Sequence, residues 1–365
     1  MGDLIKESQR VITAPDQLSV AWFEAVLQES GALLGGVAAF RLDPLKSDNS
    51  HVLRIWLDYT PGSSGELPAR LFLKLCGGDN SHPFGPSEVE YYRRDYAGQT
   101  GLPLLKCYSA VYSPEKASYH LLLEDLTATH GPSWEKTASG DYIYPVAEGL
   151  GKLHSCRWSG PTGQPANPAY PVGDQLTKFL AHMEGGPALL LEELKAEYDA
   201  ASLETAQRLA DRLPATLARR LKDPNGFTLV HGDLNPGNIL SPLPGLSGQT
   251  YLIDRQPFDW SLTTWLAASD LAYAMVLWLE PEVRREHEAK VLKTYHESLL
   301  AKGVTGYSLE QLWLDYRLCA MQCIYIPFEW CLLESDRKNM DWVWKPEFRR
   351  VLAAVQDLNC LDLLA

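Results

Sequence analysis

The sequence has no uninterrupted apolar run of about 18 residues, the length that a bilayer-spanning helix needs. Its first residues, Met1-Gly2-Asp3-Leu4-Ile5-Lys6-Glu7, carry charge where a secretory signal requires an apolar core. Lys6 stands where a myristoylation site would need Ser or Thr. Positive charge is in deficit: 33 Lys and Arg against 46 Asp and Glu leave a formal net charge of -13. That balance argues against nucleic acid and anionic membranes as partners. Cysteine is sparse and unpatterned. None of the seven forms Cys-x-x-Cys, and no His pair sits at zinc-binding spacing, so a structural zinc module is excluded. The thiols, including Cys319 and Cys323 at helical spacing, read as buried free cysteines of a reducing cytoplasm. With 45% hydrophobic and 22% charged residues, the 365-residue chain has the composition of an ordinary globular protein. Its length suits two lobes better than a single core.

Against these absences one stretch stands out. Leu229-Val230-His231-Gly232-Asp233-Leu234-Asn235-Pro236-Gly237-Asn238-Ile239-Leu240 is followed, after the turn-rich Pro242–Gly248, by Tyr251-Leu252-Ile253-Asp254. Apolar residues flanking both polar clusters predict short buried strands. The pattern is that of a hairpin carrying Asp233, Asn238 and Asp254 into one small space. Phosphoryl transfer uses such a trio: one carboxylate to orient or deprotonate the attacking hydroxyl, and an amide oxygen with a second carboxylate to hold magnesium. The Asp-x4-Asn spacing is that of a protein-kinase catalytic loop. The same residue types also favour plain turns. The preceding His-Gly and the apolar run closing on Asp254 weigh against that simpler account.

His-Gly-Asp-x4-Asn-x-Leu followed by Leu-Ile-Asp resembles the aminoglycoside phosphotransferase and choline kinase superfamily, and within it the ecdysteroid-kinase-like branch. The resemblance runs from Gly35 to about Trp278. It implies an α+β, bilobal protein-kinase-like fold with a small antiparallel-sheet N-lobe and a larger helical C-lobe. It implies a small-molecule kinase that uses ATP or GTP with Mg2+ to phosphorylate a hydroxyl. Asp233 would be the catalytic base, and Asn238 and Asp254 the metal ligands. The absence of Asp-Phe-Gly after Ile253, and of Ala-Pro-Glu, speaks against an ordinary protein kinase. A nucleotide-binding pseudokinase or regulatory module and an aminoglycoside-type phosphotransferase remain the alternatives.

The expected division is an extension over residues 1–29 containing a helix from Leu18 to Gln28, an N-lobe over 30–125 and a C-lobe over 126–365. Within the N-lobe, residues 51–59 and 69–75 alternate and predict antiparallel strands. Lys74 lies opposite the Leu71, Leu73 and Leu75 face. It is either an edge-strand charge reaching water or, as the resemblance implies, the lysine that contacts the nucleotide phosphates. Its carboxylate partner would be Glu88, with Glu90 as the rival. Ser87 and Glu90 fit a capping box. Gly35-Gly36 and Lys46–Ser50 are both candidate phosphate loops. Leu121–Leu126 resembles the family's hinge, where the backbone around Glu124 and Leu126 would pair the adenine edge.

The C-lobe is read as helical from Tyr142, with the Pro- and Gly-rich 160–173 as a linker. His154 is read as a structural histidine. Asp270 opens a helix, with Ser269 as its N-cap, and the resemblance gives it the task of bracing the catalytic loop. The segment Trp313–Trp344 would wall the acceptor pocket. Glu329, Glu334, Asp336 and Asp341, or Trp330, Trp342 and Trp344, could line it. The tryptophans tip the expectation toward an apolar or mixed hydroxylated acceptor. The partner is thus a small molecule, with no nucleic acid and no membrane; the oligomeric state is left open.

Overall fold

A computed structural model describes residues 6–45, 50–77, 85–159, 172–256, 258 and 260–364. It divides into two compact units, Met1–His130 with Pro257–Asp259, and Gly131–Gln256 with Trp260–Ala365. The chain is mixed helix and sheet, as expected.

In the first unit the alternating stretches form a five-stranded antiparallel sheet. Its spatial order is Val37–Leu45, His51–Tyr59, Arg70–Gly77, Ser118–Glu124 and Cys107–Ser113. Leu53 lies opposite Leu73, Ile55 opposite Leu71, and Leu73 opposite Leu122, so one face is a continuous apolar layer. That layer packs on Trp22, Phe23, Val26 and Leu27 of the helix Val20–Glu29, all buried. Each such side chain contributes roughly 1.5–3 kcal/mol by leaving water. Ser19 starts this helix by accepting a hydrogen bond from the Trp22 N–H at 3.1 Å. A helix read as part of an extension therefore shares the core of the sheet. Lys74 lies on the middle strand of the sheet, not on an edge, and is only 8% exposed.

The capping-box expectation is corrected. Pro86, not Ser87, precedes the short helix Ser87–Glu90, and no side chain caps it. Glu90 instead reaches forward to Arg94 at 3.0 Å. The glycine pair at 35–36 precedes the first strand of the sheet. There Gly36 N–H donates to Thr60 Oγ1 and Ser63 Oγ at 3.2 and 3.1 Å, so the turn is closed on itself. The connection between the first two sheet strands is the other candidate, of which residues 46–49 lie outside the described residues. The linker expected over 160–173 falls almost wholly outside them too.

The second unit is largely helical. Ile143–Ser155 packs along Pro281–Ala301, where Gly151 lets the backbones approach. A Cβ there would lie 2.4 Å from Ser298 Cβ and 3.1 Å from the Tyr295 carbonyl. The helix Ala268–Ala272 continues into a π-helical turn, Tyr273–Leu277. Further helices follow at Leu309–Gln322, Tyr325–Trp330, Glu334–Asn339 and Asp341–Asp357. Ala267, not Ser269, occupies the N-cap before Asp270. The expected hairpin is present as Ile239–Pro242 against Tyr251–Leu252, but Phe227–Leu229 pairs elsewhere, with Thr264–Leu266. Among the described residues no helix is long and apolar enough to cross a membrane.

Candidate functional site

The 231–238 loop is built around a buried histidine. Gly232 has φ +83°, a left-handed conformation that favours glycine, and a Cβ on it would also crowd Gln256 Cβ at 3.1 Å. That turn lets two successive backbone N–H groups, of His231 and Gly232, donate to the Asp270 carboxylate at 2.7 and 2.9 Å. His154 Nε2 lies 3.1 Å from the same carboxylate, and its Nδ1 lies 2.8 Å from the Tyr295 hydroxyl. Burial acts to raise the Asp270 pKa. The hydrogen bonds from His154 and from the Gly232 N–H outweigh it and hold the carboxyl below its usual value.

His231 joins this loop to the strand that ends at Asp254. Its Nδ1 accepts from the Asp233 N–H at 3.3 Å, and its Nε2 donates to the Ile253 carbonyl at 2.8 Å. That pair of bonds defines a neutral ring, and burial pushes its pKa down to about 4. The Ile253 N–H donates to the Asn238 carbonyl at 3.0 Å, and the Gln256 N–H to the His231 carbonyl at 3.1 Å. Asp254 is thus pinned to the loop on both sides. It is exposed and left-handed, at φ +62°, a conformation that Asp tolerates better than most side chains. Buried Arg255 reinforces the junction by donating to the carbonyls of Val230 and Thr263 at 3.0 and 3.3 Å.

Asp233 and Asn238 touch. The Asn238 side-chain nitrogen donates both to the Asp233 carbonyl at 2.9 Å and to Asp233 Oδ2 at 3.1 Å. Both neighbours are acceptors, so the amide is oriented with its nitrogen toward Asp233 and its oxygen away. The Asn238 amide oxygen and the exposed carboxylate of Asp254 are the hard-oxygen groups of this loop that could serve a magnesium ion keeping several waters, although no cluster of three or more His, Cys, Asp or Glu side chains able to hold a metal is found among the described residues. Asp233 Oδ1 accepts from Asn235 Nδ2 at 3.0 Å and from the Tyr273 hydroxyl at 2.8 Å. Burial raises the Asp233 carboxyl to about 6, helped by the charge of Asp254 and opposed by these hydrogen bonds.

In the first unit, Lys74 Nζ donates to Glu88 Oε2 at 2.8 Å, so Glu88 rather than Glu90 is its partner. Glu88 is 1% exposed, and the Tyr119 hydroxyl donates to the same oxygen. The Glu124 side chain accepts from the Lys106 N–H at 2.7 Å, which fixes it to the neighbouring strand. The Leu126 carbonyl accepts from the Thr129 and His130 N–H groups, both at 2.9 Å, and closes a turn after the strand.

The tryptophans expected in the acceptor wall differ in burial. Trp344 is fully buried and donates to the Arg337 carbonyl at 3.0 Å, and Trp342 is 71% exposed. Of the acids expected there, Glu334 pairs with Lys338, and Asp341 lies 3.9 Å from Lys345. Glu329 and Trp330 instead face Glu347, a buried residue that sequence reasoning missed along with Tyr273. Neither had a local signal, because each meets its neighbours only through the fold.

A family model described as "Uncharacterized oxidoreductase dhs-27" matches residues 207–361, less than half of the chain. No curated protein matches the sequence. Among solved structures, a putative aminoglycoside phosphotransferase from Ralstonia eutropha JMP134 is similar at 15% identity and a TM-score of 0.48, over 92% of this chain and 97% of that one. A glucosamine kinase aligns at 13% identity and a TM-score of 0.47, over 92% and 80%. Choline kinase LicA from Streptococcus pneumoniae aligns at 15% and 0.44, over 88% and 94%. The chain is therefore similar to structures titled as an aminoglycoside phosphotransferase and a choline kinase, and its matched segment holds the 231–238 loop, Asp254, Tyr273 and Glu347.

Proposed function

We propose that the protein is a small-molecule kinase that transfers the γ-phosphoryl group of ATP or GTP to a hydroxyl, with Mg2+. The observation that carries this reading is the Asp233–Asn238 contact. It holds a carboxylate with a raised proton affinity against an amide whose oxygen is left for a metal. Asp233 takes the role of base toward the acceptor hydroxyl, and Asn238 and Asp254 that of magnesium ligands. Lys74, held by Glu88, neutralises nucleotide phosphate charge, and the backbone at Glu124 and Leu126 receives the base. In this division residues 30–125 anchor the nucleotide, with 1–29 as the preceding segment. Residues 126–365 carry the catalytic loop, metal ligands and acceptor contacts. A loose phosphoryl-transfer transition state needs little covalent chemistry, so fixed charges and positioning supply most of the acceleration.

Asp233→Asn provides the test. Removing a positioned base costs roughly 10²- to 10⁴-fold in turnover. Transfer from labelled ATP or GTP to a panel of sterols, macrolides, choline and aminoglycosides should collapse by that factor, while nucleotide affinity measured by calorimetry stays within about threefold. Turnover equal to wild type would overturn the assignment. Nucleotide binding without magnesium dependence or turnover in either protein would make the chain a regulatory module.

A further inference from the structure

One buried carboxyl has no task in the chemistry above. Glu347, on the helix Asp341–Asp357, is 1% exposed, and neither of its oxygens has a hydrogen-bond partner among the described residues. A buried polar group without a partner is costly, and it persists where something else satisfies it. Its surroundings point to the acceptor. The helix packs against the π-helical turn that begins at Tyr273, whose hydroxyl is bonded to Asp233, and against the helices Leu309–Gln322 and Tyr325–Trp330. The charged and titratable groups that face Glu347 are Asp233 from the loop, Tyr273 from the turn, Cys323 at the end of one helix, Glu329 from the other and Arg350 from its own. The Trp330 side chain acts to favour the ionised form of Glu347 but does not reach hydrogen-bond geometry with either oxygen.

We propose, resting on the kinase reading, that Glu347 acts as a neutral carboxylic acid that recognises the acceptor, donating a hydrogen bond to a second oxygen of an uncharged, ring-bearing alcohol whose reacting hydroxyl lies at Asp233 and whose apolar body packs on Trp330. Arg350, the one cation facing Glu347 among the described residues, is already committed. It donates to Glu280 at 2.7 and 3.0 Å and to the Leu277 carbonyl at 2.7 Å. Two other carboxyls, Asp233 and Glu329, share the neighbourhood, so ionising a third without a donor is doubly opposed. Accordingly burial, together with those two charges, raises Glu347 to about 8 against the effects of Arg350 and Trp330. A protonated acid has one O–H to give, and an ether, carbonyl or hydroxyl oxygen of a neutral ligand would accept it. A cationic amine would require the ionised form.

The experiment compares Glu347→Gln and Glu347→Ala with the full-length wild type, using calorimetric binding of a set of neutral ring-bearing alcohols (polyhydroxylated sterols and aryl glucosides) beside choline and kanamycin. Each titration is repeated in the Asp233→Asn background, so binding is read independently of turnover. Glutamine keeps a donor, so E347Q should bind the neutral alcohols within about threefold of wild type, and E347A at least tenfold more weakly. Wild-type affinity should fall above about pH 8, and E347Q affinity should not. Stability supplies a ligand-free readout. A carboxyl protonated in the fold but ionised when unfolded costs the wild type stability, relative to E347Q, progressively from about pH 4.5 to about pH 8 and no further above. Binding of choline or kanamycin that is lost tenfold in E347Q would overturn the proposal in favour of a carboxylate–cation contact. So would failure of every neutral alcohol to bind, indifference of their affinity to E347A, or a stability difference that does not change with pH. If these arms hold but Asp233→Asn leaves turnover intact, the kinase reading fails and the recognition role stands.

Discussion

At the scale of single residues, Asp233 is positioned by three side chains drawn from different distances along the chain. Asn235 and Asn238 come from its own loop, whereas Tyr273 arrives 40 positions later. A hydroxyl donating to a carboxylate is a charge-assisted bond, about 1.5–3 kcal/mol, part of which an Asp233 left with other donors recovers. Tyr273→Phe is therefore expected to lower kcat roughly tenfold, equivalent to about 1.4 kcal/mol of barrier, with nucleotide affinity unchanged in the same titration. An unchanged kcat would show that Asn235 and Asn238 suffice. The Lys74–Glu88 pair obeys the same logic in the first unit. Its partner identity turned on which face of one short helix meets the sheet, and Glu88, 1% exposed, occupies that face.

At the scale of elements, the helix Ala268–Ala272 supports the loop through one side chain. Asp270 accepts two backbone N–H groups and contacts His154 inside a buried network. Asp270→Ala leaves those donors without a partner and should destabilise the second unit by about 3 kcal/mol, the lower end for breaking a buried charged network. The pH dependence follows from the direction of its shift. The Asp270 pKa is depressed in the fold, so the stability it contributes is present above the unfolded value of 3.8 and is lost as pH falls through the folded value. Chemical denaturation of wild type between pH 6 and pH 3 should show this acid-side loss, and Asp270→Asn should lack it. An equal acid-side loss in both proteins would assign the effect to other carboxylates.

At the scale of the whole molecule, the kinase reading makes stability depend on ligands. A ligand that binds only the folded chain adds RT ln(1 + [L]/Kd), about 2.7 kcal/mol at a hundredfold excess over Kd. Thermal unfolding with ATP or GTP should shift upward when Mg2+ is present and return toward the nucleotide-only value with EDTA. Asn238→Ala with Asp254→Ala should abolish the magnesium-dependent part while the free nucleotide still shifts Tm. A magnesium effect that survives both substitutions would place the ion elsewhere.

What was legible in the sequence was local. Leu53, Ile55 and Leu57, and Leu71, Leu73 and Leu75, alternate because strand side chains alternate, and their register follows from burying one face. Asp233, Asn238 and Asp254 were legible as neighbours because a few residues of loop and one hairpin bring them together. Trp342 and Trp344 could not be sorted by composition. Two positions on a helix point in nearly opposite directions, so one is exposed and the other fully buried, and only packing sets which. The middle-strand placement of Lys74, the bond from Tyr273 to Asp233 and the isolation of Glu347 were decided by tertiary structure alone. A glutamate on a helix rich in Lys and Arg reads as solvated until the helix is rotated and docked. Its energy is then set by desolvation and by the charges of Asp233 and Glu329 from two other segments, neither of which its own neighbours in sequence reveal.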